Sequence, residues 1–501
     1  MTRPFDAAMR IVAELRAAGY EAYLAGGCVR DLLVGREPSD YDVATSATPD
    51  IVLRLFPHTV AVGAHFGVVL VAEDAGEERV GGSSQEAASD QSANEKPPLI
   101  MTEVATYRSD GAYTDGRRPN EVRYSVSARE DVLRRDFTIN GLLLDPQRAA
   151  EYLSHPAVQK AHHAKRAHAA LDSAHLERLI HVQKNLREAV IDYVGGLRDL
   201  EAGVVRAIGK ADLRFEEDRL RMLRAVRFAA RFGFKLEART EAAIRRLAPK
   251  TATVSRERVS AELTRMLTEG HARRSFELLN ETGLLDVVLH EVARMKGVEQ
   301  PPLYHPEGDV WAHTLLMLDQ LPAGCAMTLA WGALLHDVGK PSTFRRAERI
   351  RFDGHVEVGV AIAMEICRRF RFSKDETRQI VALVQNHMRF ADAPRMKIST
   401  LKRFFQLDKF DEHLALHRMD CLAGGGELDN WDYVHERLRA IPEEAVKPAR
   451  LITGLDLIEA GYRPGARFRE MLHAVEDAQL EGLIATSEEA MKLVRERFPV
   501  G

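Results

Sequence analysis

Along the first twenty residues, MTRPFDAAMRIVAELRAAGY, apolar positions recur at helical spacing and predict an amphipathic helix over 6–18. The period then changes. Tyr23-Leu24-Ala25 reads as the end of a buried strand, Gly26-Gly27 as a turn, and a helix opens near Val29. Thr48-Pro49-Asp50 has the cap and proline chemistry of a helix start and leads into IVLRLF. Val60-Ala61-Val62-Gly63 and Val68-Val69-Leu70-Val71 read as strands around a Gly-His-Phe-Gly turn. The next strand runs from Ile100 to Tyr107. Alternation sends Glu103, Ala105 and Tyr107 to one side and Thr102, Val104 and Thr106 to the other. REDVLRRDFTINGLLLD, over 129–145, is helical at first and apolar at its end. After about residue 200 the pattern is almost wholly helical, and no fixed-period repeat interrupts it.

Three stretches break the pattern. Residues 74–98 are rich in Gly, Ser and Glu, have almost nothing to bury, and read as a mobile loop inserted between two strands. SDGAYTDGRRPNEV, over 109–122, has turn composition and carries Arg117 and Arg118. Residues 147–190 are Ala-, His- and Lys-rich with a poor apolar face, which reads as a solvated helical insertion; its histidines have no regular ligand spacing.

The totals set limits. With 501 residues the chain is too long for one core, so about three to four domains are expected. A formal net charge of −4 advertises no global basic field, although a local basic face suffices for nucleic acid. Cys28, Cys325, Cys367 and Cys421 are far apart and form no C-x-x-C pair, which fits a reducing cytoplasm and argues against a disulfide scaffold. The N-terminus carries Asp and Glu and does not read as a signal peptide, and no run approaches the ~20 apolar residues of a membrane span.

The richest stretch is YLAGGCVRDLLVGREPSDYD, Tyr23 to Asp42. The Gly pair lets backbone approach a ligand, and its amides with Arg30 beside them can cradle a phosphate. Asp40 and Asp42 flank one residue, so in an extended segment both face one side and suit Mg²⁺. Taken alone, the stretch is equally a turn followed by a surface Asp-x-Asp. A phosphoryl-transfer site built on two metals needs a further carboxylate; Glu103 is the first candidate and Asp110 the alternative. Arg134-Arg135, entering an apolar segment, call for anions such as a triphosphate or an RNA backbone, unless they form a surface pair capped by Asp136. In EDRLRMLRAVRF, over 217–228, Asp218, Arg221, Arg224 and Arg227 recur every three residues and drift around a helix as a polar ribbon. Asp218 and Arg221 could bond the edge of a base and Arg224 and Arg227 could hold phosphates; a salt-bridged amphipathic helix is the other account.

The ordered set Gly26-Gly27-Cys28-Val29-Arg30-Asp31, Asp40-Tyr41-Asp42, Arg134-Arg135-Asp136-Phe137-Thr138-Ile139-Asn140 and Glu217-Asp218-x-x-Arg221 resembles the bacterial class II tRNA nucleotidyltransferases. These are the CCA-adding enzymes and their relative, bacterial poly(A) polymerase, in the DNA polymerase beta superfamily. The resemblance implies Mg²⁺ on Asp40 and Asp42, nucleotide contacts from Gly27, Arg30 and Arg135, and a base-reading pair of Asp218 and Arg221 completed by Arg224 and Arg227. It implies that SDGAYTDGRRP is the flexible loop that switches from C to A addition. The poly(A) branch carries a Gly-basic-basic-Phe pattern where this chain has Gly63-Ala64-His65-Phe66, and that departure favours the CCA-adding branch.

Downstream, His313, His336-Asp337 and Asp420 follow the order of the HD phosphohydrolases, with His355 and His387 between them. Such a mixed set of nitrogens and oxygens suits Ni²⁺, Mn²⁺, Fe²⁺ or Mg²⁺. The resemblance adds that HD domains fused to this transferase can hydrolyse phosphate esters.

The expected architecture is an α/β nucleotidyltransferase palm followed by mainly helical neck, body, HD and tail regions. Its expected limits are a head over 1–146, the insertion over 147–190, an RNA-binding neck and body over 191–300, the HD domain over 301–425 and a tail over 426–501. The expected activity is untemplated addition of C, C and A to the tRNA 3′ end from CTP and ATP. The alternatives are a poly(A) polymerase or A-only enzyme, or an HD phosphohydrolase whose other half only binds RNA.

Overall fold

A computed structural model describes residues 3–60, 67–74, 99–110, 122–166, 173–303 and 305–499. The Gly63-Ala64-His65-Phe66 departure, the insert from 75 on, and the loop over 111–121 with Arg117 and Arg118 lie outside the described residues. The chain divides into two compact units, Met1–Val254 and Ser255–Gly501. That boundary falls inside the 191–300 stretch expected as a single neck and body.

The first unit is built on a mixed sheet. Its strands are β1 (Ala22–Ala25), β2 (Val43–Thr45), β3 (Thr59–Val60), β4 (Val68–Asp74) and β5 (Leu99–Thr106), then β8 (Leu142–Leu144) and β9 (Val190–Asp192). Between them β6 (Arg108–Asp110) and β7 (Val122–Tyr124) form a separate pair. The sheet order is β3-β4-β5-β2-β1-β8-β9. All the contacts are antiparallel except β2 with β5, which run parallel with Val43 opposite Val104. The helix Arg3–Ala17 lays Phe5, Ala8, Ile11, Val12 and Leu15 into the core, as its apolar spacing requires.

The alternation along β5 holds: Thr102, Val104 and Thr106 are buried and Glu103 is exposed. Several short strands escaped the sequence pattern, β8 and β9 among them. β8 is the apolar end of RRDFTINGLLLD, and β9 closes the sheet with Leu143 opposite Ile191. That pairing brings the two sides of the 147–190 stretch together. Thr138 also donates its hydroxyl to the buried Asp199 at 2.8 Å, joining RRDFTIN to GLRDL. The stretch itself is not wholly solvated. It contains the helices Pro146–Ser154, Pro156–Arg166 and Ser173–Glu188, and Tyr152, Leu153, Val158, Val182 and Leu186 are buried.

The second unit is helical. Five helices frame its centre: Val310–Asp319, Met327–Leu335, His355–Phe370, Lys374–Asn386 and Phe410–Gly424. A short hairpin, Arg345–Arg346 with Ile350–Arg351, is the exception to the helical pattern. The basic run at 397–403 fastens two helices. Lys402 donates to the Leu480 carbonyl at 2.7 Å, and Arg403 pairs with Glu476 at 3.0 Å and with Asp477.

Candidate active site

In the first unit the strand register assembles the carboxylates. Asp42 immediately precedes β2, and its carbonyl accepts from the Ala25 amide at 3.1 Å. With Val43 opposite Val104, Asp42 comes level with Glu103 on the neighbouring strand. Asp40 is exposed and joins them from the preceding loop. Burial, then the negative charges of Glu103 and Asp40, push the Asp42 carboxyl up to about 7, against the pull of Arg135 and Arg30. Glu103 opens to solvent, yet the atoms around it desolvate its carboxylate and, with Asp40, raise its pKa. Two desolvated carboxylates, Asp42 and Glu103, repelled by each other and by the exposed Asp40, suit a hard divalent cation, which would relieve that repulsion through oxygen ligands. The side chain of Asp110 lies outside the described residues.

The cationic side is built from Gly26 to Leu33 and from the RRDFTIN segment. Gly26 has φ +70°, and a Cβ there would meet Arg135 Nη1 at 3.0 Å, so a bare backbone is needed where guanidinium and turn meet. Gly27 begins the helix Gly27–Leu33. Arg30 is 4% exposed and donates to Asn140 Oδ1 at 2.5 Å and to Asp31 Oδ1 at 2.9 and 2.7 Å. Arg134 and Arg135 share one buried carboxylate. Arg134 donates to Asp131 Oδ1 at 2.9 and 2.5 Å and Arg135 to Asp131 Oδ2 at 3.2 and 3.0 Å. The anion that the arginines demand is therefore supplied within the fold. Asp131 was legible as an i, i+3 and i, i+4 partner in REDVLRRD.

The helix Leu220–Phe232 presents the polar ribbon. Arg224 donates to Asp136 at 2.9 Å. Burial would raise Asp136, but Arg224, Asn140 and Arg221 overcome it and hold its carboxyl at about 2. Arg221 donates to Glu217 at 2.8 Å and to the Arg134 carbonyl at 3.2 Å, while Asp218 accepts from the Leu220 amide at 3.1 Å. Asp218 and Arg221 thus stand within one turn of each other, each with a protein partner. Arg227 is 4% exposed and sits 4.4 Å from the Phe228 ring, which also collects Arg224 at 5.3 Å and Arg30 at 5.2 Å. Phe228, a core position in the pattern, ties this helix to the Gly-Gly turn. Sequence reading assigned no role to it, to Asp131, or to Asn140 and Glu217, which it quoted only as parts of motifs.

The second unit gathers all six expected ligands. His313 comes from Val310–Asp319, His336 and Asp337 follow Met327–Leu335, and His355 opens its helix. His387 follows Lys374–Asn386, and Asp420 lies on Phe410–Gly424. The close approach needs Gly339, where a Cβ would sit 2.0 Å from the His355 carbonyl oxygen. The imidazoles of His336, His355 and His387 each donate from Nδ1 to the carbonyl three residues back, at 2.9, 3.0 and 2.6 Å. This fixes the tautomer and leaves Nε2 as a lone pair. The buried Nε2 atoms of His355 and His387 have no hydrogen-bond partner, while His336 Nε2 lies 3.3 Å from Asp337 and His313 Nε2 faces Asp420. Donor atoms converge within 4.8 Å in His313-His336-Asp420 and in Asp337-His355-His387. Four buried imidazole nitrogens converging on two carboxylates, two of them with no other partner, fit divalent metal.

His313 Nε2 lies 3.0 Å from Asp420 Oδ1 while Nδ1 meets Glu307 at 2.6 Å. Burial would lower this imidazole; Asp420 and Glu307 instead raise it to about 9. Asp337 stays well below the usual carboxylate range despite burial, because Lys340 at 2.7 Å and His336 face it. Glu307 and Lys340 were missed from sequence, although Lys340 stands one helical turn after Asp337.

A nucleotidyltransferase head followed by an HD centre defines the class. Residues 22–153 match the poly A polymerase head domain, 233–296 the probable RNA and SrmB-binding site of polymerase A, and 310–424 the HD domain. The chain thus matches three family models in the order head, RNA-binding segment and HD domain. Its relatives are CCA-adding enzymes. That of Geobacillus thermodenitrificans is 36% identical over 284 residues, 57% of this chain and 54% of the relative, so the match spans about half of that protein. That of Streptococcus thermophilus is 27% identical over 491 residues, 97% of this chain and 95% of the relative. Among solved structures, the Bacillus stearothermophilus CCA-adding enzyme in complex with CTP has a TM-score of 0.66 at 26% identity, covering 99% of this chain and 98% of that one. The Thermotoga maritima CCA-adding enzyme complexed with tRNA shares the fold at a TM-score of 0.52 and 17% identity, covering 98% and 95%.

Proposed function

We propose that the chain adds C, C and A to the 3′ end of tRNA from CTP and ATP without a nucleic-acid template. The observation that carries this reading is the strand register that sets Asp42 level with Glu103, with the charge of Arg135 acting on both. The tRNA 3′-oxygen bonds to the α-phosphorus, the α–β phosphoanhydride bond breaks, and pyrophosphate leaves. Asp40 and Asp42, with Glu103 as third carboxylate, would hold Mg²⁺, which would supply the charge that makes the 3′-hydroxyl acidic, its proton passing to solvent, and that neutralises the leaving group. Gly27 and its neighbouring amides, Arg30 and Arg135 bind the triphosphate. Asp218 and Arg221 read the base edge, and Arg224 and Arg227 complete the pocket. For Arg221 this means exchanging its bonds to Glu217 and the Arg134 carbonyl for bonds to the nucleotide. Cytoplasmic residence accords with the free cysteines. CTP incorporation into tRNA lacking its CCA end tests the reading; Asp42→Ala must abolish turnover while leaving the protein folded.

A second activity is favoured by the convergence of four buried Nε2 atoms on Asp337 and Asp420: metal-dependent hydrolysis of a phosphate ester at the HD centre. Water oxygen bonds to phosphorus, the ester P–O bond breaks, and the alcohol leaves with a proton from the water. His313, His336, Asp337 and Asp420, with His355 and His387, would hold the metal, of Ni²⁺, Mn²⁺, Fe²⁺ or Mg²⁺ type. Loss of ester hydrolysis in Asp337→Asn, with CTP incorporation retained, separates this activity from the first.

A further inference from the structure

Between Asp337 and His355 the chain leaves its helical frame as a hairpin with Arg345 opposite Arg351 and Arg346 opposite Ile350. Residues 345–351 hold four arginines, all exposed, against one acid, Glu348. Arg346 reaches the exposed Glu299 at 3.1 Å; among the described residues Arg345, Arg349 and Arg351 have no side-chain partner. Like charges directly across a strand pair are destabilising, and two-residue strands offer little ladder to offset them. An anion lying along the hairpin would reverse the sign of that term.

The hairpin is rooted in the HD centre. Its feet, Phe344 and Phe352, meet with ring centroids 6.0 Å apart. The Phe352 carbonyl accepts the Nδ1–H of His355 at 3.0 Å, and its ring lies 5.3 Å from the Nζ of Lys340, the amine that pairs with Asp337. Arg351 stands four residues before His355, within about 14 Å even along a fully extended chain. Phe344 is 37% exposed and offers an aromatic face beside the arginines.

We propose that this hairpin is the substrate arm of the HD centre, holding the backbone of a single-stranded nucleic acid whose terminal phosphate ester enters the histidine–aspartate cluster. The inference rests on the phosphohydrolase reading of that centre and names its substrate class as a polynucleotide end. Unpaired guanidiniums distributed along a hairpin match a row of phosphates, and an aromatic ring among them is the usual platform for a base.

The test compares hydrolysis of a short single-stranded RNA bearing a 3′-phosphate with that of para-nitrophenyl phosphate, using the full chain with Mn²⁺. In the triple variant R345Q/R349Q/R351Q the ratio of kcat/KM for RNA over the small ester should fall about tenfold or more, and the salt slope of RNA turnover should shrink by about 2, roughly 0.7 per lost phosphate contact. A ratio and slope equal to those of the unmodified protein overturn the arm. If neither substrate is hydrolysed, the phosphohydrolase reading fails by itself, and the arm is judged on RNA binding. There the same reduction of the salt slope supports it and an unchanged slope overturns it.

Discussion

Arg135 donates twice to Asp131 Oδ2, at 3.2 and 3.0 Å, while Arg134 occupies the other oxygen of the same carboxylate. One buried anion therefore aims two cations. Asp131 is 1% exposed, and despite burial it is held below the usual carboxylate range by Arg135 and Arg134. Replacing it by Ala leaves both guanidiniums uncompensated. Asp131→Ala should cost about 3 kcal/mol in urea denaturation, the usual scale for removing one partner of a buried pair. It should also weaken CTP binding, because Arg135 loses its anchor.

The pH response of the first unit follows from Asp42. Without metal its folded-state pKa is about 7, above the usual carboxylate value, so the folded protein binds this proton more tightly than the unfolded chain does. The associated stability is present at low pH and is lost as pH rises from about 4 to about 7. In EDTA at pH 8, Asp42→Asn should therefore melt above the unmodified protein, by about 2–4 °C for each kcal/mol relieved. Near pH 4 the two should coincide. Thermal denaturation at both pH values checks this.

In the second unit, metal should add stability. Mn²⁺ or Ni²⁺ would satisfy the His355 and His387 nitrogens, which have no partner without it, and ligand bound only to the native state stabilises by about 2.7 kcal/mol at a hundredfold excess over its Kd. A rise in Tm with metal, absent in Asp337→Asn, is the expected outcome of a titration of the EDTA-stripped protein.

Acid should act on the same unit through His413 and His417. Burial lowers both imidazoles to about 4, and His417 stacks on Phe390 with centroids 4.2 Å apart. A lowered imidazole contributes stability that is full above its unfolded value and lost as pH falls toward its folded one. Each group should therefore cost up to about 3 kcal/mol between pH 6.5 and 4, at about 1.4 kcal/mol per unit. His417→Leu should flatten part of that decline, measured by the fluorescence of Trp331 and Trp431 in urea.

Much of both sites was legible because their ligands sit at local punctuation: Gly26-Gly27, Asp40-Tyr41-Asp42 and His336-Asp337 announce themselves within a few residues. Glu103 could be chosen because the Asp pair calls for a further carboxylate on a neighbouring strand, and the register of Val43 with Val104 places it level with Asp42. What stayed hidden depends on distant packing. Nothing local says that Phe228 gathers Arg30, Arg224 and Arg227, or that Asn140 takes a bond from Arg30. The pairing of Leu143 with Ile191 across the 147–190 stretch was invisible for the same reason. The hairpin at 345–351 was hidden by brevity, since two-residue strands leave no period to detect.

The central claim is CCA addition at the Asp42 site. The most direct measurement is primer extension on tRNA lacking its CCA end, with each nucleoside triphosphate alone and in sequence. CTP alone should add two cytidines and stop, ATP should then add one adenosine, and Asp42→Ala should add neither. Incorporation of ATP without prior cytidines, or no incorporation of CTP, would contradict the account.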